Sequence, residues 1–258
     1  KLILKEKNID YKAKNIIHHI KYTRYKLNYH SIVSINNYIN KNNILMNKIK
    51  GIIFDIDGVL IEAKDWHYDA LNKALGLFGH AITKYDHLVT YDGLPTIIKL
   101  DMLSREGNLP YKLHSFINEL KQKFTMEFVY THCKPRFYHE YALSQLKSNG
   151  YKIGCASNST SDSVNLMLTR SKLLRYMDIV LSAQDVENPK PAPDMYIAAI
   201  KSLGLMPEEC LVIEDNKNGI KAAIASGAHL MVVTEVDEVN IENIMYMINK
   251  IEQDREDA

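Results

Sequence analysis

Asp55 and Asp57 stand one residue apart where the apolar run Ile52-Ile53-Phe54 stops, and Gly58 follows at once. On an extended chain, residues i and i+2 share a side, so both carboxylates can address one ligand. Gly58 would let the backbone turn tightly beside them. An Asp-Gly pair alone is weak evidence, because such pairs mark turns everywhere. Its meaning depends on what else the chain sets in comparable places. Ser157-Asn158 follow the run at 151–156, Lys190 lies inside NPKPAPD, and Glu214-Asp215 close CLVIED, with Asn216 and Gly219 after them. Each has a plainer alternative: a helix cap for Ser157-Asn158, a solvated loop residue for Lys190, a helix-dipole partner for Glu214-Asp215. Order and placement together favour chemistry.

That chemistry is phosphoryl transfer. A phosphate monoester is dianionic, so a carboxylate nucleophile can approach only where positive charge offsets the repulsion. Mg²⁺ supplies such charge and prefers hard oxygen donors. A carboxylate nucleophile divides hydrolysis into formation and breakdown of an acyl phosphate. A second carboxyl group serves as acid and then as base, while an ammonium and a hydroxyl hold the phosphoryl oxygens.

The elements needed to gather these residues are legible from residue 46 onward. Strands are expected at 50–56, 151–158, 178–182, 210–215 and 229–234. Helices are expected at 138–149, 160–173 (Ser159 or Thr160 its N-cap), 193–203, 217–226 and at the C-terminus. Between 61 and 133 no strand signal stands out, and helices are expected at 65–79, 94–106 and 111–130. Short apolar strands alternating with helices predict an α/β fold, a Rossmann-like parallel sheet covered on both faces, with an inserted helical subdomain. In such sheets ligands gather outside the C-terminal strand ends, where every candidate above falls.

Composition narrows the class. The 258 residues are 46% hydrophobic and 24% charged, within the ordinary globular range. No apolar run reaches the length of a membrane span, and no signal-peptide core stands at the N-terminus. Cys133, Cys155 and Cys210 are too scattered for a disulfide framework or a metal site, which points to a reducing cytoplasm, with Cys155 and Cys210 as small hydrophobes. Residues 1–45 carry +7 and leave the remaining 213 residues at −6. Lys, Ile, Asn, Tyr and Leu make up 34 of those 45 residues, and Met46 precedes the first strand. Residues 1–45 are therefore expected to be a disordered or non-native extension. A basic nucleic-acid arm is the alternative; it predicts salt-sensitive binding lost on deleting 1–45.

The motifs FDIDGVL (54–60), ASNS (156–159), NPKPAPD (188–194) and VIEDNKNGIKAAIASGA (212–228) resemble the four motifs of the haloacid dehalogenase superfamily. They are most similar to its beta-phosphoglucomutase and phosphoglycolate phosphatase branch. The resemblance spans about 48–236. It implies a Rossmann-like core from 46–62 and 134–258 with a helical cap at 63–133. It further implies Asp55 as nucleophile, Asp57 as general acid/base, Ser157 and Lys190 on the phosphoryl group, and Mg²⁺ held by Asp55, Asp215 and the Asp57 carbonyl, with Glu214 direct or through water. Asn158, His67, Asp92, Gly93 and Thr96 are the expected substrate contacts, and Trp66, Tyr91, Lys99, Arg105 and Lys134 further possible ones.

The second Asp favours phosphate esters over halide expulsion, which needs no proton. Lys64 lies near the place of a Schiff-base Lys in phosphonate-cleaving relatives, but a solvated Lys is the simpler reading. Ala63 replaces the hinge Thr of the mutases, the stretch 133–143 lacks the branch's usual Pro-Gly-Val, and TYDGLPT (90–96) carries no glucose phosphate signature. The resemblance thus favours a monomeric Mg²⁺-dependent phosphatase of a small phosphorylated metabolite, probing neither nucleic acid nor membrane. A phosphosugar mutase is the alternative, and a catalytically silent binding module the alternative of another class.

Overall fold

Five short strands run parallel because a helix after each returns the chain to the same edge. The computed structural model describes residues 49–91, 93–107 and 109–256. The readings of residues 1–45, and of Asp92, lie outside them. The strands are β1 (Gly51–Phe54), β2 (Lys152–Ala156), β3 (Ile179–Leu181), β4 (Cys210–Glu214) and β5 (His229–Val232), in the order β3-β2-β1-β4-β5. β1 is central, with Ile53 opposite Gly154 on one side and Val212 on the other. It is buried throughout, as is β4.

Alternation survives even in these fully buried strands. Ile52, Phe54, Leu211 and Ile213 face a core shared with helices α4 (Phe137–Ser148), α5 (Ser161–Arg170) and α8 (Ile241–Glu256), through Leu143, Leu146, Met167, Ile244 and Ile248. Ile53 and Val212 face the opposite layer, packing with Met195, Tyr196 and Ala199 of α6 (Asp194–Leu203) and Ala222 and Ala223 of α7 (Lys217–Ser226). Burial of each large aliphatic side chain contributes roughly 1.5–3 kcal/mol, so the sheet is a stiff support for whatever its edge carries.

Between β1 and α4 the chain is helical. It forms α1 (Lys64–Gly76), a single turn at Lys84–Asp86, a π-helical turn at His87–Tyr91, α2 (Thr96–Arg105) and α3 (His114–His132). These close on their own small core, with Leu71, Leu75, Leu100 and Ile117 fully or almost fully buried. Among the described residues no helix is long and apolar enough to cross a membrane, and Cys133, Cys155 and Cys210 are buried free thiols.

Two local expectations are corrected. The strands stop at Phe54 and Ala156, so Asp55, Asp57, Ser157 and Asn158 lie beyond the ladder. Asp55 still donates its N–H to Ile213 O at 3.0 Å, but Leu60 and Ile61 then turn back to Ile56 O, and a lone bridge joins Asp57 to Ile61. A tight loop, and not strand pleating, brings the two carboxylates together. Thr160 occupies the N-cap of α5 without capping it. Its hydroxyl donates to Ser163 Oγ and accepts from Gln122 of α3.

Candidate active site

The core half of the site is built on Lys190, whose side chain is only 2% exposed. Its Nζ donates to Asp55 Oδ1 at 2.6 Å, Glu214 Oε1 at 2.7 Å and Ala156 O at 2.9 Å. Burial alone would lower the ammonium pKa, but Asp55 and Glu214 outweigh it and hold the proton more tightly than usual. The reading of Lys190 as a solvated loop residue is thereby excluded.

Glu214, fully buried, accepts from Lys190 and Tyr196 on Oε1 and from Asp215 N, Asn216 N and Asn216 Nδ2 on Oε2. Five donors use its whole acceptor capacity. Gly219 makes this possible, since a Cβ there would lie 1.6 Å from Glu214 Oε1. Gly58 has a comparable function: at φ 94° it turns the loop, and a Cβ would meet Asp215 Oδ2 at 2.1 Å. Lys64 is paired, although its side chain is one-third exposed. Its Nζ lies 2.5 Å from Asp215 Oδ2, because the first turn of α1 leans over the carboxylate cluster.

Asp57 heads a second network. His67 Nε2 lies 2.9 Å from its Oδ1, and Lys121 Nζ lies 3.1 Å from His67 Nδ1. The ammonium can only donate, so His67 Nδ1 accepts and His67 Nε2–H donates to Asp57. Ser159 Oγ donates to Asp57 Oδ2 at 2.7 Å, with Ser157 Oγ at 3.4 Å. Burial alone would raise the Asp57 pKa, yet His67, Ser159 and Lys121 together bring it down to about 2. His67 itself is pushed down by burial and by Lys121, against the pull of Asp57, and is neutral at pH 7. Lys121 and Ser159 were not among the residues expected from sequence.

Lys121 carries a testable cost. Burial and the neighbouring Lys99 lower its pKa from 10.5 to about 7. Between those values the unfolded chain binds a proton that the folded one does not, so this group makes stability rise with pH from 7 to 10.5. Below that window both states are protonated and the full penalty applies. Lys121→Met should therefore melt higher than the parent at pH 7, with the advantage shrinking toward pH 10. A difference that is flat in pH across thermal melts counts against this account.

The two networks face one cavity of about 210 Å³. Asp55, Asp57, Ser157, Lys190, Asn158, His67, Gly93 and Thr96 all line it, with Lys64, His87, Lys99, Asn118, Lys121 and Gln122. Asn158 ties its halves together: Nδ2 donates to Gly93 O and Lys190 O, and Oδ1 accepts from Lys190 N, each at 3.0 Å. Gln122 adds a bond to Thr160 Oγ1 at 3.0 Å. Of the five further possible contacts only Lys99 reaches the cavity. Tyr91 is buried in the core of the helical layer, Trp66 packs on the main core, Arg105 pairs with Asp101 and Lys134 is exposed elsewhere.

A divalent cation fits the carboxylate group. Ligand oxygens of Asp55, Glu214 and Asp215 all lie within 4.8 Å of one another. Burial, then the negative neighbours Glu214, Asp215 and Asp57, push Asp55 well above the usual carboxylate range despite Lys190. The cluster is thus short of positive charge, and its donors are the hard oxygens that Mg²⁺ selects.

The sequence profile described as haloacid dehalogenase-like hydrolase matches residues 52–233. The chain belongs to this family. A phosphorylated carbohydrates phosphatase of Thermotoga maritima is 26% identical over 185 residues, covering 69% of this chain and 82% of that protein. The fructose-1-phosphate phosphatase YqaB of Escherichia coli is 28% identical over 185 residues, covering 69% and 92%. Among solved structures, the beta-phosphoglucomutase of Clostridium difficile superposes with a TM-score of 0.69 at 24% identity, covering 78% of this chain and 98% of that one. That likeness establishes the haloacid dehalogenase-like fold, with its parallel sheet and surrounding helices.

Proposed function

We propose that this haloacid dehalogenase-like hydrolase is a Mg²⁺-dependent phosphatase that cleaves a small sugar phosphate through a phosphoryl-Asp55 intermediate. The observation that carries the reading is Asp55, buried, held by Lys190 at 2.6 Å and facing the same cavity as Asp57. The relatives named for phosphorylated carbohydrates and fructose 1-phosphate support the sugar, and the free thiols suit a reducing cytoplasm. Monomeric action on a metabolite, without nucleic acid or membrane, completes the reading.

Asp55 and Asp215 would hold the cation with the Asp57 carbonyl, and Glu214, saturated by its five donors, would act at one remove. The ion supplies charge that keeps Asp55 ionised and offsets the phosphate dianion. Lys190 and Ser157 bind the phosphoryl oxygens, and Asn158, its amide hydrogens given to Gly93 O and Lys190 O, holds the Lys190 loop in place beside them. Asp55 attacks phosphorus as the ester P–O bond breaks, and Asp57 gives its proton to the departing oxygen. Asp57 is ionised in the free enzyme; the incoming dianion opposes that charge and favours the protonated form. A water that loses its proton to Asp57 then attacks phosphoryl-Asp55, releasing phosphate and restoring the carboxylate.

The test is phosphate release from sugar phosphates, phosphoglycolate and p-nitrophenyl phosphate, with Mg²⁺ or with EDTA. Release from sugar phosphates that EDTA abolishes is expected. A folded protein that Mg²⁺ stabilises against heat but that turns over nothing would return the silent-module reading. Glucose 6-phosphate formed from beta-glucose 1-phosphate without free phosphate would make the chain a mutase.

A further inference from the structure

Phosphoryl transfer makes no use of His87. This residue opens the π-helical turn at His87–Tyr91, is 2% exposed and lines the cavity. Its ring lies against Tyr68, at 5.3 Å between centroids, and Tyr68 is not among the described residues that line the cavity. The charges that act on the ring, those of Lys99, His67 and Lys121, all belong to cavity-lining residues. Tyr68 therefore backs the imidazole, and its other side faces the cavity.

The two ring nitrogens differ. One is bonded to the Lys64 backbone. Nδ1 is buried with no hydrogen-bond partner among the described residues, so the bonded nitrogen is Nε2. The bond to Lys64 favours a protonated nitrogen, so Nε2–H donates to the Lys64 carbonyl. Burial, then Lys99, His67 and Lys121, hold the ring's pKa down to about 4, and His87 is neutral at pH 7. A neutral ring with its proton on Nε2 presents Nδ1 as a bare acceptor. Such an acceptor is costly to bury unpaired, and folded proteins carry few of them.

The chemistry of a matching group follows by elimination. A phosphoryl dianion and a carboxylate offer only acceptors, so no anionic group can satisfy Nδ1. An ammonium carries donors, but Lys99 and Lys121 on the same wall oppose a further cation. A neutral hydroxyl meets both conditions. Asn118, half-buried one turn before Lys121 on α3, also lines the cavity and adds a neutral amide with donor and acceptor. Gln122, by contrast, is committed to Thr160 and Ser163.

We infer that His87 Nδ1 accepts a hydrogen bond from one particular hydroxyl of the substrate, so that the enzyme selects sugar phosphates bearing that hydroxyl over esters that lack it. This rests on the phosphatase reading and deepens it: the core holds the phosphoryl group, and an uncharged acceptor on the helical wall reads the sugar.

The test uses glucose 6-phosphate and fructose 1-phosphate, each with its monodeoxy analogues. For the parent with Mg²⁺, deleting one particular hydroxyl should lower kcat/KM at least about tenfold, the scale of a hydrogen bond to a buried partner. His87→Phe keeps a ring and removes the acceptor. In that variant the same deletion should change kcat/KM by less than about twofold, the mark of coupling between the two groups. The ratio of sugar to deoxy sugar is the readout, because a merely unstable variant lowers both alike. His87→Asn, whose Oδ1 can stand close to the place of Nδ1, should keep part of the ratio. No single-hydroxyl effect in the parent, or one that persists in His87→Phe, overturns the assignment.

A binding arm separates this inference from the reading beneath it. The Asp55→Asn protein is titrated calorimetrically with the same sugar phosphates, with and without His87→Phe. If the parent turns over nothing, but Asp55→Asn binds the full sugar more tightly than one deoxy analogue and His87→Phe erases the difference, the acceptor stands and the phosphatase reading falls. If phosphate is released while full and deoxy sugars bind and react alike, the acceptor falls and the phosphatase reading stands. Failure of both sugar phosphates to bind Asp55→Asn also overturns the acceptor.

Discussion

Asp55→Asn should reduce phosphate release by at least about a thousandfold, the scale on which removal of a catalytic nucleophile acts. The amide keeps the volume and most of the shape, so this is a change of chemistry and not of packing. It also relieves the protein of a buried charge crowded by Glu214, Asp215 and Asp57. Lys190 keeps its bond to Glu214 at 2.7 Å, so the ammonium is not orphaned. The melting temperature should therefore match the parent's or exceed it, a common outcome when a site's electrostatic strain is removed. Two measurements decide the matter. Mass spectrometry of acid-quenched parent enzyme should show one added phosphoryl group during turnover, and the variant none. A variant that retains more than about one per cent of the rate, on the same scale, assigns the nucleophile elsewhere.

Lys190→Met is expected to damage both stability and rate. The side chain fits by length, but Asp55 and Glu214 would then face each other in the interior without the cation that both now contact at 2.6 and 2.7 Å. Removing one partner of a buried ion group costs roughly 3–5 kcal/mol, a fall in melting temperature on the order of 10 °C for a domain of this size. Protonating a carboxylate would relieve the repulsion. In the variant the folded state then binds more protons than the unfolded one above the ordinary carboxylate pKa, so its stability falls as pH rises. The gap from the parent should be smaller at pH 5 than at pH 8, and equal melting at pH 8 would disprove the account. Phosphate release should drop at least about a hundredfold even where the variant is folded, because the phosphoryl oxygens lose a preorganised donor.

The residues legible in sequence were those that a parallel sheet must deliver to one edge. Asp55, Asp57, Ser157 and Asn158 each follow an apolar run and Lys190 lies in the loop after one, and the strand-end rule gathers them without coordinates. What stayed hidden came from the helical layer or from depth. Lys121 sits on the buried stripe Ile117, Lys121, Thr125, Val129 of α3. A lysine at that spacing is a readable anomaly, and Lys99 beside the buried Leu100 is another. Neither names its partner, since nothing in the local pattern says which helix face meets His67. Tyr196 looks like an ordinary core aromatic and is one, but its hydroxyl also donates to Glu214 at 2.8 Å. Glu214 reads as a metal ligand because it is an acid at a strand end; only the count of donors around it shows how little of its acceptor capacity remains. Lys64 reads as surface because its sequence neighbours are polar, whereas its partner Asp215 is 151 positions away.

Asn158 bonds Lys190 twice within the core but reaches the helical layer only through Gly93 O. The grip on phosphate is therefore built within the core, whereas His67 and Lys121, which help lower the Asp57 pKa to about 2, belong to the helical layer. Separating the layers would strip Asp57 of these neighbours and return it toward an ordinary carboxylic acid. Holding the phosphate and setting the acidity of the group that handles its proton are thus tasks of different layers: the core fixes the first, and the packing of the helical layer on the core fixes the second.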